Sequence, residues 1–265
     1  MVKIGFIGMG NMGNAILNGL LKTHGPEEMI FSAARQDKME AVTVRTKVPH
    51  ACSNRECAEA VKYLILAVKP QYFDAVFSEI RDVVTPEQVV VSLAPGITIS
   101  NITERLGGNV RVVRAMPNTP AMLGEGMTGM SYGEASYTEE EKETIRDIFS
   151  SCGRVELVEE RLMDAVGCVS GSSPAFVYMF IEALADSGVK YGLPRKTAYA
   201  MAAQTVLGSA KMILETGKHP GQLKDEVCSP GGTTIAGVSA LEEYGLRNAV
   251  IKAADACYEK TRRMK

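Results

Sequence analysis

Two stretches of the 265-residue chain combine residue types and spacings suited to chemistry, and neither relies on an acid or a base. The first is Gly8-Met9-Gly10-Asn11-Met12-Gly13, a complete G-x-G-x-x-G. In such a turn the first glycine allows the tight reversal, the second lets a pyrophosphate approach the backbone, and the third lets a helix pack on a strand. The phosphates then rest on free N–H groups at a helix start, where the dipole favours negative charge. The second stretch is residues 228–237, CSPGGTTIAG, in which only Cys228 titrates anywhere near neutral pH. Gly231, Gly232, Thr233 and Thr234 precede an amphipathic run, so this too is expected to be a helix start able to hold an anion.

These turns need elements to position them. From residue 2 to about 160, apolar strand-like stretches (KIGFIG, MIFSA, YLILAV, VVVSLA) alternate with helix-like ones (NAILNGLLKT, KMEAVTVR, YFDAVFSEI, ISNITERL). The strands are continuous apolar runs, as expected where helices cover both faces of a parallel sheet. The fold class is therefore α/β: a Rossmann dinucleotide-binding domain over residues 1–161, followed by an all-helical domain over 162–265. In the second half, Ser172 or Ser173 before Pro174 suggests a helix cap with proline at the first helical position. The helices that follow are apolar on several sides and rich in alanine, as expected of a domain that completes its core against another subunit.

Ligands of such sheets bind at the carboxyl ends of the strands. After the second strand, where an NAD site carries an acid, the chain reads FSAARQD, with Ala34 and Arg35 first and Asp37 two residues on. Arg35 suits a 2′-phosphate, which favours NADPH and leaves NADH possible. The loops AVKPQ and SLAPGIT fall at the same edge, and Lys69 is either a functional cation or an ordinary loop lysine. RAMPNTPAMLGEG, with Met116 and Asn118, is expected to floor the nicotinamide ring.

Composition sets aside other classes. Lysine and arginine number 29 against 31 acidic residues, without a basic block that would bind nucleic acid. Six cysteines form no C-x-x-C pair, and His50, Cys52 and Cys57 fall short of a four-ligand site, so no metal is expected. No apolar run approaches the roughly 18 residues that span a bilayer. The amino terminus lacks the pattern of a signal peptide. The expected location is the cytoplasm.

The glycine turn, AVKP, MPNTP, SGSSPAF, GLPR and HPGQLKDEVCSPGGTTIAGVSALE together resemble the pyrroline-5-carboxylate reductase family. That resemblance, over residues 2 to about 262, implies reduction of Δ1-pyrroline-5-carboxylate to L-proline by NAD(P)H, the last step of proline synthesis. It also implies a helical domain interleaved in a homodimer, often within a larger ring of dimers. It places the cofactor against Gly8 to Gly13, Ala34, Arg35, Asn54, Val68, Lys69 and Pro95, with Met116 and Asn118 at the ring. It brings substrate to Thr233 and Thr234; the anion-holding turn adds Gly231 and Gly232, Ser172 is expected on the substrate side, and the chemistry of an imine that arrives protonated assigns the catalytic role to Thr234 at the imine nitrogen. Two positions depart from common family patterns: Ala34, where some relatives have serine, and Ser173, where glycine is frequent. Two other readings use the same cofactor domain: a hydroxyacid dehydrogenase relying on Lys190, Lys211 or Lys224, and a redox sensor that binds NADP(H) without turnover.

Overall fold

The computed structural model describes residues 3–263. Seven strands form one sheet in the order β2-β1-β3-β4-β5-β6-β7. They are β1 (Ile4–Ile7), β2 (Met29–Ser32), β3 (Tyr63–Leu66), β4 (Val89–Ser92), β5 (Arg111–Met116), β6 (Gly126–Ser131) and β7 (Gly153–Leu157). The first five pair in parallel, β6 runs antiparallel to β5, and β7 runs parallel to β6. β1, β3 and β4 are buried at every position, which is why they read as unbroken apolar runs.

The helices between them are α1 (Asn11–Leu20), α2 (Gln36–Thr46), α3 (Asn54–Glu59), α4 (Phe73–Ile80), α5 (Ile99–Arg105) and α6 (Glu139–Ser150). They bury two hydrophobic clusters against the sheet, one around Phe6, Phe31 and Phe149 and the other around Leu64, Phe73 and Ile80. β6, β7 and α6 extend the sheet beyond the expected alternation. β6, GMTGMS, has two glycines and weak strand propensity, and β7 is mostly exposed, so neither carries an apolar run. α6 does have a legible start, a capping box between Thr138 and Glu141.

Next come α7 (Met163–Val166), a π-helical turn (Gly167–Gly171), α8 (Ser173–Lys190), α9 (Arg195–Thr216), α10 (Pro220–Val227), α11 (Thr233–Glu243) and α12 (Leu246–Arg262). The chain forms two compact units, residues 1–172 with 257–265, and residues 173–256. The boundary expected at 161/162 falls at the short turn Glu160–Leu162, and the compact division comes later, between Ser172 and Ser173. Helix α12 supplies residues to both units.

No separate cap begins α8. Helical backbone runs through the π turn into Ser173, and the Ser172 N–H donates to Gly167 O at 2.8 Å. A π turn shifts the bonding register by one residue, and that absorbs a proline inside a helix. The same continuity joins the helical turns before the expected cap at Ser172 or Ser173 to α8. The run from Glu160 to Lys190 is thereby long and apolar enough, by length and composition, to cross a membrane, contrary to expectation. It also carries Glu160, Arg161, Asp164, Glu182, Asp186 and Lys190.

Among the described residues of the helical unit, the buried hydrophobic side chains are Ala185, Ala198 and Ala202, where α8 meets α9. Tyr178, Met179, Phe180, Leu207 and Leu214 are exposed on the same two helices.

Candidate active site

The glycine turn after β1 is built as its spacing requires. Gly8 has φ +99°, and a Cβ there would stand 2.7 Å from Val68 Cγ1 and 2.8 Å from Ala67 O. A Cβ on Gly13 would stand 2.5 Å from Gly8 O, so α1 packs directly on the turn. Gly10 differs: it caps α1 without a side-chain bond, and a Cβ there would meet nothing within 4 Å. The space in front of Gly10 and the α1 N–H groups therefore suits a pyrophosphate. Met9 is buried in the core and can offer a ligand only its backbone, Met12 is partly buried, and Asn11 faces solvent.

Asn14, absent from the sequence-based set, holds this turn in shape. Its Nδ2 donates to Met9 O at 2.9 Å and Gly10 O at 3.0 Å, and its Oδ1 accepts from Arg45. The only signal for it is an asparagine inside a helix, where a short polar side chain reaches back to the preceding backbone.

At the end of β2, Gly8 N–H donates to Ser32 O at 2.9 Å, and Ser32 Oγ donates to Asn54 Oδ1 at 2.7 Å. Asn54 thus stands at the first position of α3, fixed beside the β1 turn. Ala34 and Arg35 are exposed. Arg35, the N-cap of α2, is bound by both oxygens of Asp37. The hydrogen bond raises the arginine's pKa and lowers that of the aspartate.

Val68 is half-buried against Gly8, Lys69 is exposed at the start of a short 3-10 turn, and Pro95 precedes Gly96 at φ +76°. Met116, buried at the end of β5, faces Gly167 and Gly171 of the π turn. Asn118 is committed to the fold: its Nδ2 donates to Ser170 O at 3.1 Å and its Oδ1 accepts from Met127 N at 2.9 Å. On the same strand as Met116, Arg114 is 1% exposed, with Nη2 3.3 Å from Asp164 Oδ1 and Nη1 3.7 Å from Glu160 Oε1.

In the helical unit, Gly231 has φ +68° and Gly232 is the N-cap of α11. The substrate-binding role expected of Gly231 and Gly232 needs correction at Gly232. Gly232 N–H donates to Ser229 O at 3.0 Å, which closes the turn, and a Cβ on Gly232 would strike Ser229 Oγ. The open donors are instead those at the start of α11 itself. Thr233 and Thr234 occupy its first two positions and are exposed. Elsewhere in the chain Ser53, Thr98 and Thr138 cap helices by accepting a backbone N–H. Thr233 and Thr234 do not: the cap is a glycine, and among the described residues neither hydroxyl has an internal partner.

Of the lysines considered for acid–base work, Lys224 is paired with Asp225 and Lys190 lies over the Tyr191 ring. Cys57 is buried, its thiol pushed up to about 12 by burial, and His50 shares a hydrogen bond with Thr43. Among the described residues no group of three or more His, Cys, Asp or Glu could hold a metal ion. A cavity of about 1000 Å³ lies at the opposite ends of the strands, beside Lys62, Arg111 and Glu141. Its central charges pair with one another, Glu141 accepting from Arg111 at 2.7 and 3.0 Å and from Lys62 at 3.0 Å.

Residues 160–264 match the family described as pyrroline-5-carboxylate reductase dimerisation, and residues 3–96 match NADP oxidoreductase coenzyme F420-dependent. Pyrroline-5-carboxylate reductase of Escherichia coli is 46% identical over 99% of this chain and 98% of its own. The Synechocystis enzyme of the same name is 42% identical over 99% of this chain and 98% of its own. A solved Coxiella burnetii pyrroline-5-carboxylate reductase superposes with TM-score 0.92 at 35% identity, covering 100% of this chain and 98% of that one. A Plasmodium falciparum pyrroline carboxylate reductase with NADP bound gives TM-score 0.88 at 32% identity, over 99% and 98% of the two chains. With a glycine turn open at Gly10, a helix start with two unused hydroxyls, and similarity along its whole length, the chain belongs to the pyrroline-5-carboxylate reductase family.

Proposed function

We propose that the protein reduces Δ1-pyrroline-5-carboxylate to L-proline with NADPH, NADH serving as a second donor, in the last step of proline biosynthesis. The observation that carries this reading is the α11 start: two exposed threonine hydroxyls that cap nothing, in front of unpaired helix N–H groups, with no acid or base among them. A protonated cyclic imine is already an electrophile, so its reduction requires orientation and exclusion of water more than proton transfer machinery.

The bound nicotinamide supplies the hydride. Gly10 and the α1 N–H groups hold the pyrophosphate, Arg35 takes the 2′-phosphate, and Asn54 reaches the ribose. Val68, Lys69 and Pro95 line the same strand ends, while Met116 and the Asn118 backbone support the ring. Thr233 and the α11 N–H groups orient the substrate carboxylate, with Ser172 on the substrate side. Thr234 holds the imine nitrogen and helps deliver its proton with water.

The working form is a soluble cytoplasmic homodimer, assembled further into a ring of dimers. Its support is the dimerisation-family match and the exposed apolar faces of α8 and α9. Light scattering at micromolar concentration is expected to return at least the dimer mass, and a monomer would overturn this assembly. The activity is tested by adding pyrroline-5-carboxylate and following loss of the reduced nicotinamide's near-ultraviolet absorbance. Tight NADPH binding without turnover would favour a redox sensor instead.

A further inference from the structure

We propose that Arg35 and Asp37 form a two-way selector for the dinucleotide, Asp37 competing with a 2′-phosphate for Arg35 and itself accepting from the ribose hydroxyls when that phosphate is absent. The inference rests on the reading that the adenosine ribose lies at the end of β2.

Arg35 Nε is 3.0 Å from Asp37 Oδ1, and Nη2 bonds Oδ2, so both carboxylate oxygens occupy the guanidinium fork. A phosphate would use that same fork. The two anions therefore compete for one set of donors. Asp37 also stands in the first turn of α2, where the helix dipole favours an anion of either kind. Neighbouring guanidiniums are engaged elsewhere, Arg45 with Asn14 and Asn18, and Arg55 with Glu59. Ala34 adds no hydroxyl.

Both partners are more than 60% exposed, at 63% and 64%, so the pair is weak and readily opened. It attenuates phosphate binding without preventing it. With NADH, Arg35 has no phosphate to draw it away. Asp37 lies in the first turn of α2, beyond the end of β2, and there it takes the part of the acid that in an NAD site accepts from the ribose diol.

The test is calorimetric titration of the full-length protein with NADP⁺ and, separately, NAD⁺, neither of which requires turnover. Asp37→Asn is expected to tighten NADP⁺ about two- to tenfold and to weaken NAD⁺ by a similar factor. In an Arg35→Ala background the NADP⁺ gain should disappear. Asp37→Ser, a good residue for a helix start, should shift both affinities in the same directions while thermal unfolding stays within a few degrees of the parent. If Arg35→Ala weakens NADP⁺ selectively but neither Asp37 variant changes the ratio of the two affinities, the selector is overturned and the 2′-phosphate reading of Arg35 stands. If Arg35→Ala leaves that ratio unchanged, both fall.

Discussion

Asn118 Nδ2 donates to Ser170 O at 3.1 Å, and Ser170 is the residue four before Pro174. A proline has no N–H, so in an α-helical register Ser170 O would lose its partner at that point. A loop after β5 fills the gap in the helical run, and this couples the MPNTP loop to the π turn. Asn118→Ala should strand both Ser170 O and Met127 N–H. A fully buried unsatisfied group costs ~1–3 kcal/mol, and since both bonds are only part-buried, urea denaturation should show a loss of roughly 1–4 kcal/mol. Asn118→Asp keeps an acceptor for Met127 and should cost less. Equal stability for all three proteins would show that the clasp is not structural.

Gly10 and Gly13 should separate binding from folding. Gly10→Ala meets no protein atom, so its melting temperature should match the parent. The methyl group enters the space where the pyrophosphate must approach. Loss of one or more charge-assisted bonds, ~1.5–3 kcal/mol each, corresponds to roughly ten- to a hundredfold weaker NADP⁺ binding. Gly13→Ala drives a Cβ into Gly8 O and should destabilise the fold itself. Unchanged NADP⁺ affinity in Gly10→Ala would remove the phosphate from this turn.

Thr234→Val keeps the shape of the side chain and deletes the hydroxyl. The expected result is a fall in kcat/KM for pyrroline-5-carboxylate of roughly three- to a hundred-and-fiftyfold, from a hydrogen bond whose loss costs ~0.5–3 kcal/mol. NADP⁺ affinity should survive. Complete inactivity with intact cofactor binding would make the hydroxyl an obligatory proton donor. Full activity at subsaturating substrate would remove Thr234 from the mechanism.

Glu141 sets an acid limit on stability. Hydrogen bonds from Arg111 first, and then from Lys62, hold its carboxyl down to about 2. Its folded pKa lies below the ordinary carboxylate value, so the unfolded chain binds the proton more readily. The stabilisation is complete above about pH 5 and disappears as pH falls towards 2. Glu141→Gln should lower the melting temperature at pH 7 and flatten its decline between about pH 5 and 3. A parallel decline in parent and variant would assign the acid limit to other carboxylates.

The parts of the fold that were legible share one property: a local pattern matched the final environment. β1, β3 and β4 are buried on both faces and so read as apolar runs, and the glycine turn is legible because Gly8 and Gly13 each answer a steric demand while Gly10 leaves open space. β6 and β7 stayed hidden because an inner strand interrupted by two glycines and an edge strand with mostly exposed residues both lack an apolar run. The cap expected at Ser172 or Ser173 is replaced by a π turn in which Ser170 O accepts from Asn118, more than fifty residues away in sequence. Thr233 and Thr234 look like capping residues in the sequence, and only the position of Gly232 frees their hydroxyls. Arg35 was visible as a cation, but its pairing with Asp37 was not, since it depends on side-chain direction at the start of α2.

Helix α12 begins in one compact unit and ends in the other, so the dinucleotide-binding unit is assembled from the two ends of the chain. On the ribosome, residues 1–172 emerge first but lack the segment that follows residue 256. At translation rates of about 5–20 residues per second, they wait on the order of five to twenty seconds for that segment. During this interval all seven strands are already present, and what the unit lacks is the end of α12, a helical segment.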